Sequence, residues 1–169
     1  MKLSEILSIV ENDYTVPEGE DYHSFTSDLE IQLGSPDTDI RENSMEILYK
    51  WIVKGTYTDA ELLEIGNQMV TNFSKGLGET ETDSVFLRSF SALVLGGVIN
   101  VDTMFSEGKI KGRKSFLTKE ILDKWLDKTI EFFLGEQDLR GYILDKKWAH
   151  SLAHCSDLFI YFSHSPHIQ

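Results

Sequence analysis

The chain has 169 residues, 41% hydrophobic and 26% charged, which is the composition of one soluble domain with material for a core and not that of a disordered segment. Its formal charge of −12 is uneven: residues 1–84 hold 18 acidic and 5 basic side chains, residues 85–169 hold 10 and 11. So acidic a surface repels phosphate backbones, which argues against general nucleic-acid binding.

At the N-terminus, "MKLSEILSIVEND" sets acidic residues straight after a very short apolar run, unlike a secretory leader. Leu3, Ile6, Leu7 and Val10 recur at helical spacing and predict a first helix. The turn formers around Pro17 and Gly19 make a connector. A second helix is expected from about residue 20 to 33, stopped by Gly34 and barred from continuing by Pro36. Asp37 or Thr38 then caps a third, whose apolar stripe is Ile40, Ile47, Leu48, Trp51 and Ile52. Gly55 ends it. Thr58 caps the fourth, and Glu61, three residues on, completes a capping-box spacing before a stripe from Leu62 to Phe73.

"SKGLGETETD" breaks the chain ahead of "SVFLRSFSALVLGGVINVDTMF", a segment apolar on nearly all sides and therefore the expected central helix. Its most apolar window, Ser91 to Val101, is too short to span a bilayer. Gly96 and Gly97 inside it each cost about 1 kcal/mol relative to alanine, so a close approach by a neighbouring helix or a local break is expected there. The basic run "KIKGRKSFLTK" (Lys109, Lys111, Arg113, Lys114, Lys119) reads either as a solvated loop or as an anion or partner contact. The capping-box pattern is expected to repeat with Thr118 as N-cap, with Ile121, Leu122, Trp125, Ile130, Phe133 and Leu134 facing inward and Gly135 at the end. "DLRGYILD" is a connector, and "KKWAHSLAHCSDLFIYF" begins the last helix. His164 and His167 fall at an expected frayed terminus. No segment alternates as a strand does. The fold class is therefore all-α, a single domain over residues 1–169 built of stacked antiparallel helix hairpins, an armadillo- or HEAT-like α-solenoid.

Chemistry concentrates in the last segment. Residues four and seven apart on a helix share a face, so His150, His154 and Asp157 form one stripe. Two imidazoles and a carboxylate could hold zinc or ferrous iron with one position open to water. The apolar neighbours Trp148, Leu152, Leu158 and Phe159 fit equally a buried polar network. Arg140, ahead of Gly141, is placed to grip a carboxylate such as Asp157 or Asp145, to fix its loop, or to bind an anionic ligand. Cys155, the lone cysteine, excludes an intramolecular disulfide, suits a reducing cytoplasm and reads as a small core residue.

"VFLRSFSALVLGGVI" followed by "DLRGYILDKKWAHSLAHCSDLF" resembles the uncharacterised bacterial family known as domain of unknown function 2785. The matching positions are Phe90 to Leu93, then Arg140, Gly141 and Tyr142, then Trp148, Ala149, His150, His154 and Asp157, within roughly residues 40–165. Cys155 stands where that family has a smaller residue. Its members continue with further helices, so this chain is expected to be a short form or part of a longer array. The resemblance implies a repeat-like helical fold and ties Arg140, Tyr142 and Trp148 to the histidine cluster, without an activity.

The expectation is a cytoplasmic binding or scaffold protein with no cofactor and no nucleic-acid or membrane partner. Its partner is a protein or a small anionic ligand, and self-association through the C-terminal helix is a further expectation. The alternative is a metal-dependent hydrolase with Zn or Fe on His150, His154 and Asp157.

Overall fold

The computed structural model describes residues 1–168 and is all-α apart from one two-residue antiparallel β-pair. The helices are α1 (Leu3–Glu11), α2 (Tyr22–Gln32), α3 (Thr38–Lys54), α4 (Asp59–Asn72), α5 (Ser84–Ser106), α6 (Lys119–Gly135) and α7 (Ser151–His164); β1 (Tyr142–Ile143) and β2 (Lys147–Trp148) lie between the last two.

Local chemistry sets most boundaries. The Asp37 carboxylate accepts the N–H groups of Asp39 and Ile40 at the start of α3. Gly55 closes that helix in the left-handed region (φ 80°), where a side chain would be strained. Thr58 and Glu61 form the reciprocal capping box of α4. Thr118 caps α6 by accepting the Ile121 N–H, without a glutamate to complete the box.

Two expectations are corrected. In α6 the buried face is Leu122, Trp125, Thr129 and Phe132, and Ile130, Phe133 and Leu134 are exposed, because α4 and α7 approach from the other side. The last helix begins at Ser151, not at the lysines, so His150 is its N-cap residue and stands in the left-handed region (φ 49°). Tertiary bonds claim the backbone ahead of it: Ala149 N–H donates to the Gly141 carbonyl across the hairpin, and Arg41 of α3 donates to the carbonyls of Lys146 and Trp148.

Helices α1, α3, α5 and α7 lie side by side in that order. Arg41 meets Phe86 and Phe90 while Tyr49 meets Gly97, so α3 runs in the same direction as α5. His154 meets Ser89 and Phe90 while Tyr161 meets Gly96, so α7 does too. Behind them, α2, α4 and α6 pack on α3, α5 and α7 respectively, and α4 meets α6. There Trp125 lies against Gly66, and Phe73 stacks on Phe132 at 4.7 Å.

Helix α5 is the core. Although long and apolar enough by composition to cross a membrane, its apolar window is 78% buried by the surrounding helices. Inside this core Arg88 is fully buried and makes a bidentate pair with the equally buried Glu136, both bonds 2.9 Å. Arg88 also donates to the carbonyls of Lys75 and Gly76, and Glu136 accepts from Ser151 Oγ at 2.7 Å and from the Asp138 N–H. One ion pair thereby joins α5, the chain after α4, the chain after α6 and the start of α7.

Candidate functional site

A groove of about 890 Å³ lies on the face of α5 turned away from α4, with α3 and α7 as its walls. Phe90 and Leu93 form its floor. Glu42, Met45, Glu46, Tyr49 and Lys50 line the α3 wall, and His150, His154, Asp157, Ile160, Tyr161 and His164 line the α7 wall. Two glycines explain how both tyrosines reach α5. A Cβ on Gly96 would stand 2.6 Å from Tyr161 Cδ2, and one on Gly97 would stand 2.9 Å from Tyr49 Cδ2. The close approach expected at these glycines is thus made by aromatic side chains and not by helix backbone.

The β-hairpin forms the other end. Tyr142 meets Trp148 edge-on at 4.8 Å, and Trp148 stacks flat on His150 at 4.5 Å with a 9° interplanar angle. His150 meets His154 edge-on at 5.8 Å, and His154 in turn meets Phe90 at 5.5 Å. Although His150 lies outside the helix, its carbonyl accepts the His154 N–H at 2.9 Å, which keeps the two imidazoles one turn apart. Beneath them Arg41 is wholly buried, with its guanidinium 4.0 Å from the Phe86 ring centroid and 4.9 Å from that of Phe90.

The protonation of His154 follows from its partners. The Ser89 hydroxyl bonds both the Ala149 carbonyl and His154 Nδ1, the latter at 2.9 Å. A carbonyl only accepts, so the single hydroxyl proton goes to Ala149, and Nδ1 must carry the proton it shares with Ser89 Oγ. Nε2 is then the bare nitrogen, and no described residue donates to it. Burial, reinforced by the neighbouring His150, pushes the His154 pKa down to about 4 against a smaller upward pull from Asp157. The imidazole is neutral at physiological pH, with an acceptor lone pair available to the groove.

Of the residues singled out from sequence, His150, His154, Asp157 and Trp148 line the groove and Tyr142 braces Trp148 from outside. Arg140 does not. It grips Asp138, with bonds of 2.8 and 2.6 Å, and donates to the Thr82 carbonyl, so its carboxylate is neither Asp157 nor Asp145. The fork with Asp138 also raises the Arg140 pKa. Among the described residues no three His, Cys, Asp or Glu side chains are placed to hold one metal ion. Cys155 is a buried core residue whose pKa burial pushes up to about 12. In the basic run Lys109 pairs with Glu107 and Arg113 with Asp59. His167 is bonded to Ser115 at 2.8 Å, and His164 lines the groove, so neither is a loose end.

Sequence reading misses the whole α3 wall, together with Arg41 and Ser89. Glu42, Glu46 and Lys50, spaced four apart, look like the solvated stripe of an ordinary amphipathic helix. The only usable signal is that Met45 and Tyr49 share that stripe.

A family model described as "Protein of unknown function (DUF2785)" matches residues 73–169. That span carries the groove floor, the hairpin and the α7 wall, and starts after the α3 wall. No curated protein and no solved structure matches the chain.

Proposed function

The chain belongs to this family of proteins of unknown function, and from that premise we propose that it is a cytoplasmic binding or scaffold protein that docks a segment of another protein in the groove between α3, α5 and α7. The observation that carries this reading is the groove itself. It is large enough for several side chains, apolar along its floor, and rimmed by polar groups that form no nucleophile–base pair. Ser89, the one serine bonded to a histidine there, is fully buried and directs its proton to a carbonyl.

The packing order supports a short stack of helix hairpins of armadillo or HEAT type. Alternate helices run the same way in one layer while each intervening helix packs behind its successor, and stacks of this kind present a face to partners. The pairing of Arg140 with Asp138 weighs against a small anionic ligand, because the cluster then offers no free guanidinium.

The test is selection of a displayed random peptide library on the purified protein, repeated on Leu93→Trp, which fills the floor, and on Ile160→Ser, which strips an exposed apolar side chain from the rim. Peptides that bind the parent protein and are lost with both variants support docking in the groove. Failure to select any groove-dependent peptide would sink the proposal. If copies of the chain instead fill the groove, light scattering reads a dimer mass that Ile160→Ser reduces to monomer.

A metal-dependent hydrolase with Zn or Fe on His150, His154 and Asp157 is the second reading, favoured by the bare Nε2 of His154 beside a second imidazole, and it needs the three side chains to shift, since as placed they do not converge on one ion. It requires stoichiometric metal by elemental analysis of untagged protein, lost in His154→Gln. Metal-free protein would rule it out.

A further inference from the structure

We infer that the docked segment is cationic: it sets an apolar side chain on Phe90 and Leu93 and offers lysine or arginine side chains to Glu42, Glu46 and Asp157. This rests on the docking reading above and names the partner's chemistry.

Three carboxylates rim the groove, and none of them forms an ion pair among the described residues. Glu42 accepts only the Thr38 hydroxyl, at 3.0 Å. Glu46 stands beside the Tyr14 phenol and raises its pKa. Of the lysines and arginines nearby, only Lys50 lines the groove. The Lys50 ammonium lies 5.4 Å from the Tyr14 ring centroid, Lys146 pairs with Asp83, and Arg41 is buried against carbonyls and aromatic rings. Burial keeps His154 neutral, its hydrogen bonds leave Nε2 bare, and that nitrogen accepts from an N–H donor such as an ammonium or guanidinium.

The aromatic lining serves the same ligand. Trp148, Tyr49 and Tyr161 present ring faces or edges along the walls, and aromatic faces attract desolvated cations. An anionic segment would meet three carboxylates against the one Lys50 ammonium, and a neutral one would leave the carboxylates partly desolvated without a cationic partner. At larger range, the 18 acidic and 5 basic residues of the N-terminal half, which carries the α3 wall, steer cations inward.

The experiment is the peptide selection above read for composition, followed by affinity measurements on labelled synthetic peptides. Groove-dependent peptides should carry at least two Lys or Arg within four residues of a large apolar side chain. Their Kd should weaken steeply with salt. The double variant Glu42→Gln/Glu46→Gln should weaken binding about tenfold, with Asp157→Asn adding to that loss, because charge-assisted bonds become neutral ones. These replacements keep the shape of partly exposed side chains, and an unchanged thermal transition verifies the fold.

Groove-dependent peptides that are neutral or acidic, or whose affinity ignores the carboxylate variants, overturn the cationic inference while leaving the docking proposal standing. Peptides insensitive to Leu93→Trp and Ile160→Ser overturn both.

Discussion

At the scale of single residues, burial sets what His154 does with acid. The folded protein keeps that imidazole neutral down to about pH 4, whereas the unfolded chain protonates it near 6.5. Between those values the unfolded state holds more protons, so His154 makes stability fall as pH falls, at up to about 1.4 kcal/mol per pH unit. Glu30 does the reverse. It lies half-buried beside Tyr57 without a hydrogen-bond partner among the described residues, and burial lifts its pKa to about 7. Between about 4.5 and 7 the folded state is the one holding the extra proton, so Glu30 makes stability rise as pH falls. From pH 6.5 to 4.5 the two slopes oppose one another. Glu30→Gln should therefore expose acid destabilisation over that window relative to the parent protein, and His154→Gln should expose acid stabilisation. Urea unfolding at a series of pH values reads both, and parallel profiles for the two variants would contradict the assignment. None of this is legible in the sequence, since neither histidine spacing nor a lone glutamate reveals which groups are buried or what Ser89, 65 residues away, bonds to.

Among the helices, glycine positions decide who approaches whom. Gly66 of α4 is occupied by the six-membered ring of Trp125, whose indole N–H is held by Asn67 Oδ1 at 3.0 Å, so the ring cannot swing aside. Alanine there gains about 1 kcal/mol of helix propensity and incurs overpacking of about 1–3 kcal/mol. Gly66→Ala should therefore lower stability by up to about 2 kcal/mol, while Gly66→Ala in a Trp125→Leu background should raise it. A double-mutant cycle in urea measures the coupling, and simple additivity would refute the steric account. Elements set by local chemistry are readable from sequence. Asp37, Thr58 and Thr118 sit where the caps form because an N-cap needs only its own next three residues. The start of α7 is not readable, because Arg41, more than 100 residues away, holds the carbonyls that bend the chain into a hairpin. The inward face of α6 is misread for a related reason: Ile130, Phe133 and Leu134 repeat helically but have no neighbour to cover them fully.

For the whole molecule, the Arg88–Glu136 pair is what locks the layers together. Removing one partner leaves the other charged, buried and unpaired, so Glu136→Ala should cost about 3–5 kcal/mol. Arg88→Met/Glu136→Leu, which removes both charges, should cost less than that single change. Chemical denaturation distinguishes the two, and a double variant worse than Glu136→Ala would show that the pair contributes more than mutual neutralisation. The sequence discloses an all-α chain with a central helix, because those follow from period and composition. It conceals the groove, whose two walls lie about 100 residues apart and meet only through α5. That α3, α5 and α7 share one direction has a consequence for whatever lies between α3 and α7. The groove has unlike ends, a stacked indole–imidazole pair at one and two phenol rings seated on glycines at the other, and the peptide dipoles of three helices add along it. It therefore has a head and a tail. A segment and the same residues in reverse order are different ligands to it, so recognition depends on the polarity of the bound chain as well as on its composition.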